Sequence, residues 1–186
     1  MLPFSFDRVV RAVERVKERL YRATAALEAA GVPYAIVGGN AVAAWISRVD
    51  ESLVRNTRDV DILLRRSDLE AAKLALAPAG FIYLDIFLDG PESKVGDALY
   101  IVFANENVTE GQLIPNPDVT DSVAAENYRI VNLDALVTIK LTAYRDKDRT
   151  HLRDMLEAGL IDEAWVERLP AELGQRLQHL IDTPEG

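Results

Sequence analysis

Tyr34-Ala35-Ile36-Val37-Gly38-Gly39-Asn40-Ala41, followed after one helix-length segment by Thr57-Arg58-Asp59-Val60-Asp61-Ile62-Leu63-Leu64, decides the fold of this chain. Residues 34–37 form a short apolar run, which reads as a strand closed by Gly38 and Gly39. Residues 40–48 read as a helix and 59–64 as a second apolar strand. Side chains two apart on a strand point to the same face, so Asp59 and Asp61 are expected side by side. Two carboxylates so placed repel each other. A hard divalent cation relieves that repulsion, and Mg²⁺ is usually held by one or two carboxylates plus substrate phosphates. Gly38 and Gly39 supply backbone able to approach phosphate oxygens closely. The amide of Asn40, at the helix start, would face them as well. The plainer alternatives are a turn for the glycines and solubilising edge acids for the carboxylates.

A strand ending in Gly-Gly, a helix, and a strand bearing Asp-x-Asp together resemble the polymerase-β-like nucleotidyltransferase superfamily. The spelling Gly38-Gly39-Asn40-Ala41 and Arg58-Asp59-Val60-Asp61 is similar to that of the minimal nucleotidyltransferases related to abortive-infection (AbiEii-type) toxins. The likeness continues through Lys140-Leu141-Thr142-Ala143-Tyr144-Arg145-Asp146-Lys147-Asp148-Arg149 and His151-Leu152-Arg153-Asp154. It implies an α+β (mixed α/β) nucleotidyltransferase fold: a small mixed sheet with flanking helices and the active site on an exposed face. It also implies Mg²⁺ or Mn²⁺ on Asp59 and Asp61, and an NTP whose NMP is passed to a hydroxyl of RNA, protein or a small molecule. A helical lysine, Lys140, and a downstream aspartate, Asp154, would complete the cleft. The toxin likeness leaves open an antitoxin as partner. The alternative is a nucleotidyltransferase-fold protein without turnover that binds a nucleotide or a partner.

The 186 residues fit one compact unit, divided as a core with its N-terminal helix over 1–132 and a helical region over 133–186 packed on it. Apolar residues make up 49% of the chain, ample for a core. No run approaches the roughly 20 apolar residues of a membrane span. Asp7 and Arg8 follow a very short apolar start, so no secretory leader is expected and a cytoplasmic location is. The absence of cysteine removes disulfides and thiolate chemistry. A net charge of −9 argues against broad DNA binding, which needs basic surface, yet allows a triphosphate that arrives with its metal.

Along the chain, residues 5–31 show three- and four-residue apolar spacing (Val9, Val13, Val16, Leu20, Ala23, Leu27) and read as one long helix. A helix over 67–77, a near-continuous strand over 81–88, a turn at 89–91 and a strand over 99–104 follow. Residues 105–126 read as loop and 128–131 as a short strand. Helices are expected from Asn132 or Asp134 to Tyr144, then over 147–158, 162–168 and 171–181. If the helix runs on past Tyr144, then Lys140, Tyr144, Lys147, His151 and Asp154 share one polar face. Lys140 then touches phosphate, with Lys147 beside it, or else snorkels to the surface. His151 reads as an ordinary helix residue, because a metal-activated nucleophile needs no base. Trp45, Tyr83, Phe87 and Phe103 read as core, and Trp165 as packed between C-terminal helices. The resemblance also implies a third carboxylate on a neighbouring strand; one candidate is Asp85, inside the apolar strand, where an unpartnered acid is costly. Asp97 and Glu106 are the other candidates, and Tyr100 stands where an acid was looked for.

Overall fold

The computed structural model describes residues 5–90 and 98–185. In chain order these form α1 (Phe6–Ala29), β1 (Ala35–Val37), α2 (Gly38–Ile46), β2 (Val60–Leu64), α3 (Leu69–Leu76), β3 (Phe81–Tyr83) and β4 (Phe87–Asp89). There follow β5 (Ala98–Phe103), β6 (Ser122–Ala124), β7 (Arg129–Val131), α4 (Leu133–Ala143), α5 (Asp146–Glu157), α6 (Ala164–Arg168) and α7 (Ala171–Asp182). The sheet runs β3-β4-β5-β2-β1-β7-β6. It is mixed: β2 lies parallel to β5 and β1 parallel to β7, while the other neighbours are antiparallel. This is the small mixed sheet with flanking helices and a helical C-terminal region that the sequence implies.

The sheet centre is apolar on both sides. Val60, Ile62, Leu63 and Leu64 of β2 are fully buried, so Asp61 is the one polar break in that strand. Leu20, Ala23 and Leu27 of α1 pack into the core, whereas Phe6, Val9 and Val10 at its start stay exposed. Arg19 and Arg22 tie α1 to the sheet edge through Asp89 of β4. Trp45 of α2 donates its indole N–H to the Val131 carbonyl at 3.0 Å, fixing that helix across β7. Among the described residues no helix is long and apolar enough to cross a membrane.

Three sequence expectations change. The strand expected over 81–88 is a hairpin: β3 and β4 pair antiparallel, with Leu84-Asp85-Ile86 as the turn. Asp85 takes a left-handed backbone (φ +61) and is exposed. Aspartate tolerates that conformation better than most residues, which suits it to a turn. Its place there removes the burial that made it a candidate third acid. The loop expected over 105–126 includes β6, which pairs with β7. The polar run around Lys140 is not one continuous helix. α4 starts at the Asn132 side chain, which accepts from the Ala135 N–H at 2.8 Å, and stops at Tyr144 with a left-handed φ of +48. α5 then starts afresh, so a single five-residue face does not form.

The corner between α4 and α5 holds buried charge instead. Lys140 is 3% exposed and points inward, its Nζ 2.8 Å from Oδ1 of the fully buried Asp148. Arg145 Nε lies 2.7 Å from the other oxygen, and the Arg145 N–H donates to that oxygen as well. Burial pushes the Asp148 carboxyl up, but Arg145 and Lys140 outweigh it and hold it below the usual carboxylate range. Lys140 therefore neither snorkels nor stands free for phosphate. Removing one partner of a buried pair leaves an uncompensated charge, at about 3–5 kcal/mol. Asp148→Ala strands Lys140 and should lose that amount in chemical denaturation. Lys140→Ala leaves Asp148 with Arg145 and should cost clearly less; equal losses would show that Arg145 does not compensate the acid.

Candidate active site

The antiparallel register of β1 and β2 sets Val37 opposite Asp61, so the acid arrives where β1 gives way to α2. Gly38 begins α2 at φ +68, a conformation that L side chains rarely adopt. It is also tightly enclosed: a Cβ there would sit 1.9 Å from Oδ2 of Asp61. A Cβ on Gly39 would meet Thr57 at 2.8 Å from Oγ1 and 2.9 Å from Cβ. Both glycines are thus accounted for by protein packing: they let the acid strand and its preceding loop close onto the first turn of a helix. A carboxylate beside a helix N-terminus is electrostatically favoured.

Asp59, expected as the first residue of the strand, lies one residue before β2. Its position is fixed by its backbone: the Asn40 side-chain amide donates to the Asp59 carbonyl at 2.7 Å, and the Thr57 hydroxyl reaches the same oxygen at 3.5 Å. Asn40 thereby braces the acid pair with its side chain, leaving its main-chain N–H in the first turn of α2. Asp59 and Asp61 are both half-buried. Burial raises the Asp61 carboxyl, and the Asp59 charge adds to this, while Lys147, Lys140 and Arg145 pull the other way.

The contrast with other acids is sharp. Asp89, Asp118, Asp148 and Asp154 each hold an arginine or lysine. Among the described residues, neither carboxylate of Asp59 and Asp61 accepts a hydrogen bond or forms an ion pair. They are half-buried like charges with coordination capacity left over. That donor set fits a divalent cation whose remaining ligands come from elsewhere. Among the described residues no group of three or more histidines and acids could supply them.

Of the other expected site residues, Lys147 is exposed, lies within electrostatic reach of Asp61 and forms no ion pair among the described residues. Lys140 acts on Asp61 only from its buried pair with Asp148. Asp154 is 6% exposed and engages Arg55 Nε at 2.7 Å, so it anchors the loop before Asp59 and does not stand open in a cleft. Asp85 lies in the turn between β3 and β4, and its charge acts on Lys73 of α3. Glu106 is a loop acid clamped by Arg66 at 2.6 Å, and Asp97 lies outside the described residues. Tyr100 stands in register with Asp61 on the parallel strand β5. Burial and the charges of Asp59 and Asp61 raise its phenol.

Sequence reasoning missed Arg55, Thr57, Arg145 and Asp148. A signal existed for the first two, since they directly precede Asp-x-Asp and the bare Gly39 needs a neighbour to fill its side. Asp148 carried none beyond its place in a charged helix start. His151 also joins this cluster: burial first, then Lys140, lower its imidazole to about 4, and its Nδ1 is buried without a partner. A cleft of about 320 Å³ between α1, α2 and residues 54–57 adjoins the site across Asn40 and Thr57 but does not contain the acids.

No protein-family model matches this chain, and no curated protein matches it either. Solved structures do. The solution structure of the antibiotic-resistance factor ANT(2'')-Ia superposes with a TM-score of 0.51 at 16% identity, over 89% of this chain and 90% of that one. A crystal structure of ANT(2")-Ia in complex with adenylyl-2"-tobramycin gives 0.48 at 18% identity, over 90% and 97%. JHP933 from Helicobacter pylori gives 0.49 at 18%, over 98% and 78%. The chain shares the overall fold of ANT(2'')-Ia.

Two outcomes test this geometry. Gly38→Ala forces a left-handed alanine and a clash with Asp61, and should cost roughly 2–4 kcal/mol in denaturant unfolding. A neutral result would mean that Asp61 does not pack on that backbone. The second concerns pH. His151 titrates near 4 in the fold and near its ordinary 6.5 when unfolded. Between those values the unfolded chain binds more protons, so stability falls as pH is lowered through the window. The melting temperature should drop from pH 6.5 to 5, above the range of ordinary carboxylates, and His151→Asn should flatten that drop.

Proposed function

We propose that this protein is a divalent-metal-dependent nucleotidyltransferase that transfers NMP from an NTP to a hydroxyl and releases pyrophosphate. The observation that carries it is the pair Asp59 and Asp61: half-buried, neighbouring, and among the described residues without hydrogen bond or ion pair to their carboxylates, at the start of a helix built on Gly38. Mg²⁺ or Mn²⁺ on these carboxylates would polarise the phosphoryl oxygens and lower the pKa of the attacking hydroxyl. The chain's own residues do the rest. The main-chain N–H groups at the start of α2 offer donors and a positive helix end to the triphosphate. Lys147, exposed near Asp61, neutralises phosphate charge directly; Lys140 and Arg145 add to the field while held by Asp148. In the reaction the acceptor hydroxyl gives up its proton to solvent, its oxygen bonds to the α-phosphorus, the bond to the bridging oxygen of the β-phosphate breaks, and the leaving pyrophosphate takes the electron pair.

The acceptor is an RNA end, a protein side chain or a small molecule. A toxin role with an antitoxin partner, in the cytoplasm, rests on the motif spelling around Gly38-Gly39-Asn40 and Asp59-Val60-Asp61. The reading without turnover draws on one observation, that a tyrosine faces Asp61 where an acid was sought.

Labelled ATP, GTP, CTP and UTP, offered with Mg²⁺ or Mn²⁺ and pooled RNA, protein and small-molecule acceptors, separate the two readings. Transfer should be seen with at least one NTP, and Asp59→Asn or Asp61→Asn should reduce it by 100-fold or more. Lys147→Ala should weaken NTP binding several-fold in calorimetry without lowering the melting temperature. Metal-dependent NTP binding without transfer to any acceptor would select the binding protein; NTP affinity indifferent to metal and to both Asn changes would sink the carboxylate clamp. Growth of bacteria expressing the chain, compared with the Asp59→Asn variant, tests the toxin role.

A further inference from the structure

β5 runs parallel to β2, and its register places Val60 beside Leu99 and Asp61 beside Tyr100. Residues in register on neighbouring strands share a face of the sheet. Val60 and Leu99 are fully buried, so their pair faces the packed core. Asp61 and Tyr100 face the other way, and both keep partial solvent access. Asp59, two residues before Asp61, approaches from that side too, and the charges of both acids act on the phenol. Three side chains therefore act on one another electrostatically at this edge of β2 and β5, and the third is a phenol.

The chemistry of that third group differs from a carboxylate in two ways. A carboxylate is an acceptor only, and would add a third negative ligand. A phenol is uncharged near neutral pH and donates a hydrogen bond. With only Asp59 and Asp61 negative, the acids balance a single divalent ion and offer it too few ligands to be held alone, since Mg²⁺ completes its octahedron with substrate phosphates and water. We propose that Tyr100 is a hydrogen-bond donor to a non-bridging oxygen of the phosphate held at Asp59 and Asp61, and that its presence in place of an acid makes divalent-ion binding conditional on the nucleotide. This rests on the nucleotidyltransferase reading. A donor at that oxygen gains strength as negative charge develops there during transfer, which is how fixed donors accelerate such reactions.

The experiment has two arms, read separately. In the first, Mn²⁺ is titrated into nucleotide-free protein by calorimetry and electron paramagnetic resonance. The wild-type chain should bind only weakly; Tyr100→Asp, checked for folding by circular dichroism and thermal melting, should bind at least tenfold more tightly. That gain should vanish in the Tyr100→Asp, Asp61→Asn double variant. Should Tyr100→Asp fail to fold, Tyr100→Glu takes its place. A folded acid variant without gain, or a gain that survives Asp61→Asn, overturns the placement of Tyr100 at the pair. In the second arm, Tyr100→Phe should lower the kcat of NMP transfer by tenfold or more while the KM for NTP stays within threefold. An unchanged kcat overturns the donor role, as does a loss confined to KM. If the wild-type chain transfers nothing, the nucleotidyltransferase reading fails and the donor role with it. The Mn²⁺ arm still decides whether the phenol occupies the third place.

Discussion

The approach of Asp61 to the backbone of Gly38 is the constraint on which the rest of the site depends. The carboxylate occupies the space that any other residue at position 38 would fill with its Cβ. That contact needs the antiparallel register of β1 and β2, which pairs Val37 with Asp61. It also needs a left-handed turn from strand to helix without an intervening residue, which glycine alone supplies readily. Once it is made, α2 must start beneath the acid, and Asn40 falls within reach of the Asp59 carbonyl. Gly39 has to be bare as well, because the loop bearing Thr57 closes over it. One close approach thus fixes two acids, one helix and one loop.

A second layer holds that arrangement from the helical side. Arg55 reaches from the same loop to Asp154 of α5, so the segment leading into Asp59 is tied to the C-terminal region. Three residues earlier on α5, His151 is kept neutral by burial and by Lys140. Asp148 then gathers Lys140 and Arg145 into a cluster that acts on Asp61 without touching it. A buried pair is weak support for stability in itself, because the desolvation of both ions offsets their attraction. Its consequence here is orientation. Lys140 cannot swing toward solvent, and the positive field at the acid pair stays in place without a ligand.

The sequence showed the fold through periodicity and punctuation, and both hold in the structure where one rule acts alone. Val37-Gly38-Gly39 and the apolar strand after Asp59 were legible because glycine freedom and strand alternation point the same way. Phe81 to Leu88 was not, since an apolar run gives no sign of a turn whose residues, Leu84 and Asp85, lack the usual glycine or proline. The break at Tyr144 was legible: helices were expected to Tyr144 and again from 147, and α4 ends at Ala143 with α5 starting at Asp146. Within the site, the acids were legible by their spacing, but the fate of Lys140 was not. Periodicity places a lysine on a helix face; only tertiary packing reveals that Asp148, on the next helix, draws it inward.

Charge accounts for the kind of ligand this arrangement suits. The chain carries −9 overall, so a long polyanion meets repulsion from most of its surface. Around Asp61 the balance differs, because Lys147, Lys140 and Arg145 stand against Asp59, Asp61 and Asp148. Such a locally neutral site repels neither a divalent ion nor its complex with a triphosphate, and it holds neither part strongly alone. A divalent cation would relieve the mutual repulsion of the carboxylates, and phosphate oxygens would complete its shell. On the proposed reading Lys147, the one cation of the three that is both exposed and unpaired among the described residues, would take up phosphate charge that the ion leaves over. On the proposed reading, binding of ion and nucleotide would be mutually dependent, a consequence of two acids, a phenol and an exposed lysine arranged around one glycine.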